Sequence, residues 1–200
     1  ANNFRTATEG TLLANDPHFK LSVPSQFYLA HLELLSGGII GGTIPGIPTI
    51  IAGRSPYIGW GISASYADNQ DLYAEEVNQN DEEKYKSLDG WKKFRIEETV
   101  IKIKGDNSKK IELKWSENGP VLDKVTSQIS DITPPNHEMA LSWTMLTPQD
   151  TSMTALINLT YSKDIKKALN ALEGHVAPSL NYTLIDLSLI HISEPTRRRG

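Results

Sequence analysis

The chain has 200 residues, 38% hydrophobic and 22% charged, a globular composition that excludes wholesale disorder. A formal net charge of -4 leaves no basic footprint for nucleic acid or an anionic membrane, and no apolar run reaches the roughly 18 residues of a membrane span. The absence of cysteine excludes disulfides, thiolate nucleophiles and thiolate-bound zinc.

Taken in chain order, Leu12 to Leu35 mixes apolar runs with Asn15-Asp16, Pro17 and Pro24, which predicts a strand, a turn and an extended or helical stretch over Phe27–Leu35. The Gly-, Ile- and Pro-rich run SGGIIGGTIPGIPTIIAG predicts two short buried strands, Ile39–Thr43 and Thr49–Ala52, around a Pro-Gly turn. Strands are also expected over Tyr57–Ser65 and Leu72–Val77. RIEETVIKIKG and KKIELKW alternate apolar and charged residues around Gly105-Asp106-Asn107-Ser108, the pattern of a hairpin with one wet face. Met139–Met145 reads as a strand and Leu156–Thr160 as a short apolar run. Ile165, Ala168, Leu169 and Leu172 fall at helical spacing, with Ser162 as the expected cap and Gly174 as the stop. A last strand is expected within Val176–Asp186. The sum is an α+β protein dominated by antiparallel sheet. The four tryptophans, Trp60, Trp91, Trp115 and Trp143, are expected in the core. His31, His137 and His175 show no metal-ligand spacing.

The end of the chain, LSLIHISEPTRRRG, resembles the in-frame translation of a sequencing-library adapter. Residues 1–186 are therefore taken as the domain and 187–200 as a non-native tail, set aside in reasoning about the fold.

A family resemblance is carried by LLANDPHFKLSVPSQFYLAHLEL, then GGTIPGIPTIIAGR, YIGWGISASYADNQDLYAEE, ENGPVLD, MALSWTMLTPQDTS and APSLNYTLID. In this order they resemble the nucleophile-bearing chain of the penicillin acylase (penicillin amidase) family, from about Arg5 to Asp186. The resemblance implies a partial N-terminal-nucleophile (Ntn) hydrolase fold, an αββα sandwich of antiparallel sheets. It also implies autoprocessing from a precursor that supplies a companion chain, and a periplasmic or extracellular setting. The implied reaction is hydrolysis of the linear amide of a small N-acyl compound, a penicillin side chain or an N-acyl homoserine lactone, by the hydroxyl of an N-terminal serine. The serine's own α-amine, with an ordinary pKa of about 7.7–8.0, is the base.

In that family the serine opens a Ser-Asn-x-(Trp/Phe) motif, whereas this chain opens Ala1-Asn2-Asn3-Phe4. Ala1 stands at or after the serine's position: the serine lies upstream, or alanine replaces it. The first alternative implies a fragment inactive by itself. The second implies a catalytically dead member of the same fold that acts as a binding protein.

The resemblance assigns Asn181 as a side-chain donor and Ala64 as a backbone N–H donor of an oxyanion hole. Without it, Asn181 is an ordinary strand-end asparagine or, through Asn181-Tyr182-Thr183, a glycosylation acceptor. His18, Phe19, Ala52 and Ile62 match the acyl pocket, where the small Ala52 suggests a wide cavity. Asp68, Gln70 and Asp71 match a loop that binds structural calcium in relatives, two carboxylates and a carbonyl suiting an oxygen-ligated cation. Without the resemblance this is a solvated acidic loop.

Overall fold

The computed structural model describes residues 6–7, 10–122, 127–186 and 190–193, with the side chains of 127–128 and 190–193 outside that description. The opening Ala1–Arg5 and most of the tail, 187–189 and 194–200, also lie outside it. The chain divides into two compact units, one formed by the residues up to Ala67 together with those from Pro148, the other by Asp68–Thr147.

The first unit is built on a six-stranded antiparallel sheet. Its strands are β1 (Tyr28–Leu32), β2 (Ile39–Thr43), β3 (Ala52–Arg54), β4 (Ile58–Ala64), β12 (Leu180–Asp186) and β13 (Ile190–Ser193), in that spatial order. Alternation along β4 and β12 sorts their side chains onto two faces. Ile58, Trp60 and Ile62 pair with Asp186, Leu184 and Tyr182, and this face holds the core. Helices α2 (Ser152–Thr160) and α3 (Ile165–Leu172) pack on it through Leu159, Ile165 and Ala168. The opposite face carries Gly59, Gly61 and Ser63 against Ile185, Thr183 and Asn181. β3 adds Ala52 and Arg54 to that face, and β2 adds Ile40 and Gly42.

The second unit holds a four-stranded sheet, ordered β11 (His137–Trp143), β5 (Gln70–Asn78), β6 (Asp81–Ser87) and β7 (Gly90–Lys93). A three-stranded sheet joins β8 (Arg95–Ile101), β9 (Lys109–Ser116) and β10 (Gly119–Pro120), and a short helix α1 spans Ser127–Ile132. Tyr85 stacks on Phe94 at 4.7 Å, and the buried Glu75 accepts from Asn118 at 2.9 Å. Among the described residues no helix is long and apolar enough to cross a membrane.

The α+β, sheet-dominated reading agrees with this architecture, and several local expectations are corrected. Leu156–Thr160 is the end of helix α2, not an isolated apolar run. Asp164, not Ser162, caps α3: its carboxylate accepts from the Lys167 amide at 2.8 Å, while the Ser162 hydroxyl is committed to the Asn158 carbonyl of the preceding helix. The strand expected at Thr49–Ala52 forms at Ala52–Arg54. Thr49 lies in the preceding turn, where its carbonyl accepts from the Thr43 hydroxyl at 2.6 Å. Strands β6 and β7, rich in Lys and Glu, went unpredicted because neither carries an apolar alternation. The β8–β9 hairpin forms, with every β8 side chain exposed and Ile111, Lys114, Trp115 and Ser116 of β9 half-buried. Of the four tryptophans only Trp60 is buried, and Trp91 is 46% exposed.

Candidate active site

The first strand of the site is β4, whose polar edge changes cover along its length. The Ile58 amide and carbonyl both face β3, bonded to Ser55. β3 pairs only as far as Gly59 and Trp60. Beyond it a side chain continues the ladder: Asn15 accepts from the Ile62 amide at 3.1 Å and donates to the Ile62 carbonyl at 2.7 Å. An asparagine amide offers the donor–acceptor pair of a peptide group, so it can stand in for one strand residue. Because every second residue of a strand turns its amide to the same edge, the Ala64 N–H follows Ile62 and points away from β12. It lies about 7 Å further along the strand than the Asn15 anchor.

Asn15 also fixes a glycine. A Cβ on Gly61 would lie 2.9 Å from Cβ and Cγ of Asn15. Gly61→Ala is expected to displace Asn15 and destabilise the unit by about 1–3 kcal/mol. Chemical denaturation checks this, and an unchanged midpoint would show that Asn15 does not need the close approach.

The second strand, β12, brings Asn181 opposite Ser63 and Leu180 opposite Ala64. The Asn181 side-chain amide donates to the Ala64 carbonyl at 3.4 Å. Residues 117 positions apart are thus in contact. Asn181 sits on the glycine-lined face of the sheet, and its second amide hydrogen is left for another acceptor.

On the same face lies an open cavity of about 1160 Å³. Gly42, Ala52, Gly59 and Ile185 contribute to its floor, and Asn15 is part of its wall. Phe19, Leu21, Val23, Phe27 and Leu29 line it from the first 30 residues, with the Phe19 and Phe27 rings 5.0 Å apart. The small floor residues leave the space that these apolar side chains surround.

Of the residues singled out in the sequence, Asn181 and Ala64 come together, and Phe19 and Ala52 share the cavity. His18 and Ile62 do not line it. His18 points to solvent with its Nδ1 3.8 Å from Asp16, and the Ile62 side chain is buried in the core on the helix-covered face. Asp68, Gln70 and Asp71 are exposed at the start of β5, in the second unit. Among the described residues no group of three or more His, Cys, Asp or Glu side chains is arranged to hold a metal. These three residues would supply part of the six to eight oxygens that calcium takes. Sequence reasoning gave Asn15 no role of its own, although its Asn-Asp-Pro turn signal was visible. Nothing in the sequence marked Ser65, whose hydroxyl and amide both bond the Ser179 carbonyl, at 2.9 and 3.4 Å, where the chain enters β12.

The penicillin amidase family matches residues 2–190. The acyl-homoserine lactone acylase QuiP of Pseudomonas aeruginosa is 26% identical over 187 residues, covering 91% of this chain and 22% of that protein. The penicillin G acylase of Escherichia coli is 22% identical over 166 residues, covering 76% of this chain and 20% of its own length. In three dimensions the chain resembles a thermostable penicillin G acylase from Alcaligenes faecalis, with a TM-score of 0.70 at 20% identity over 86% of this chain and 30% of that one. That likeness shows a partial Ntn-hydrolase fold of antiparallel sheets and few helices. The chain spans between a fifth and a quarter of the length of the acyl-homoserine lactone acylases it matches.

Proposed function

The chain belongs to the penicillin amidase family, and on that premise we propose that it is part of a hydrolase cleaving the linear amide of small N-acyl compounds, with Asn181 and Ala64 as its oxyanion donors. The observation that supports this reading is the contact of the Asn181 side-chain amide with the Ala64 carbonyl, on a sheet whose glycine-lined face floors an apolar cavity. Asn15 walls the cavity and pairs with Ile62, two residues before Ala64, while Asn181 shares the cavity's face of the sheet. An acyl chain seated in the cavity would direct its carbonyl to that end of β4.

In this reading the nucleophile is an N-terminal serine, freed by autoprocessing and absent from the 200 residues. In the same reading a companion chain comes from the same precursor. The serine hydroxyl attacks the carbonyl carbon as its proton passes to the free α-amine. The resulting oxyanion accepts from the Asn181 side chain and the Ala64 amide, neither of which has to ionise. Collapse of the intermediate breaks the C–N bond. The amine leaves with the proton, and water then hydrolyses the acyl ester by the same route.

The test compares the 200-residue chain with the product of its complete gene, using N-acyl homoserine lactones and chromogenic phenylacetyl amides. The complete protein is expected to release the free acid and the amine, whereas the 200-residue chain is expected to release neither. A processed complete protein that binds these compounds without turning them over would replace the enzyme by a binding protein. Turnover by the purified short chain would refute the serine's role.

A further inference from the structure

The chain enters β12 through a segment that is held from both sides. At one side stands Ser152, the first residue of α2 and only 5% exposed. Its hydroxyl oxygen accepts from the Val176 and Ala177 amides, both at 2.8 Å, and its proton goes to Asp150 at 2.5 Å. One hydroxyl has one donor and two acceptor positions, so all three are used. Asp150 also accepts from the Ser152 amide at 2.9 Å, and these two bonds hold its carboxyl below the usual carboxylate range. Thr151 adds a bond from its hydroxyl to the Gly174 carbonyl at 2.6 Å. At the other side Ser65, just beyond β4, holds the Ser179 carbonyl. Asn181 is two residues further on.

We infer that Ser152, fixed by Asp150, is a positioning residue for the reaction: it sets the path of Val176–Ser179 and thereby the place of the Asn181 amide beside Ala64. The inference rests on the proposed role of Asn181. The physical need is specific. An oxyanion donor works only when held at about 2.7–3.1 Å from the oxygen, and a displacement of about 1 Å can cost on the order of 10²-fold in rate. Asn181 is the second residue of its strand, and ahead of Leu180 the chain is tied to the end of β4 at Ser179, by Ser65. The half-buried Val176 amide and the buried Ala177 amide take their acceptor from the start of α2, and these bonds tie the approach to β12 to a distant helix.

A double-mutant cycle in the complete processed enzyme tests it, with rates normalised to titrated active serine. Ser152→Ala is expected to lower kcat by roughly 10- to 10²-fold with little change in KM. Ser152→Thr, which keeps the hydroxyl, is expected to recover most of the loss. In an Asn181→Ala background Ser152→Ala should cost little more, because the donor it positions is gone. Additive losses in the double variant, or a loss confined to KM, would overturn the inference. So would an unchanged kcat in Ser152→Ala alongside a large loss in Asn181→Ala, and that outcome leaves the proposed function standing. An unchanged kcat in Asn181→Ala sinks both. If Ser152→Ala yields no processed enzyme, Asp150→Asn takes its place in the same cycle, with the same non-additivity expected and additivity again decisive against.

Discussion

Asn181→Ala in the complete processed enzyme is expected to lower kcat by about 10²–10³, equivalent to roughly 2.7–4 kcal/mol of transition-state stabilisation. The side-chain amide reaches the Ala64 carbonyl, and in the proposed reaction it would also meet the charge of the oxyanion. That charge exists only after the serine attacks, so KM should move little. Asn181→Asp should be at least as damaging, because a carboxylate beside the developing oxyanion repels it. Steady-state kinetics on one chromogenic amide decide the matter. An alanine variant with unchanged kcat would remove Asn181 from the reaction and leave the family and the fold intact.

Trp60→Ala is expected to destabilise the sheet–helix unit by about 3–5 kcal/mol, the largest stability effect anticipated for a single substitution here. Trp60 is 1% exposed at the centre of β4, opposite Leu184, in the cluster on which α2 and α3 pack. Its indole N–H donates to the Ile50 carbonyl at 3.2 Å, so the substitution removes a buried hydrogen bond as well as the ring. Urea denaturation should show a lower midpoint at an unchanged slope if the unit still unfolds cooperatively. Trp60→Phe should cost less, since it keeps most of the volume and leaves only the Ile50 carbonyl without its donor. A loss below about 1 kcal/mol for the alanine variant would mean that the helices do not depend on this face of the sheet.

The class of the chain and many of its larger elements are legible in the amino-acid order. Apolar alternation in YIGWGIS and NYTLID marked β4 and β12 because one face of each is dry, and the spacing Ile165–Ala168–Leu169–Leu172 marked α3 for the same reason. Motif order identified the family. Elements without such a contrast were not legible: β6 and β7 are charged along their length, and α2 begins with polar residues whose bonds run to distant segments. The candidate site divides the same way. Asn181 and Ala64 were nameable from their motifs, but their contact was not, because nothing local relates positions on β4 and β12. Only the antiparallel register does, setting Ser63 opposite Asn181. The tertiary structure alone assigned Asn15 to the open edge of β4 and Ser152 to the amides of Val176 and Ala177. It also turned Ile62 into the core and left His18 in solvent. The physical reason is that a side chain's hydrophobicity is its own property and can be read in place, whereas a hydrogen bond between distant residues depends on where the whole sheet carries its partner.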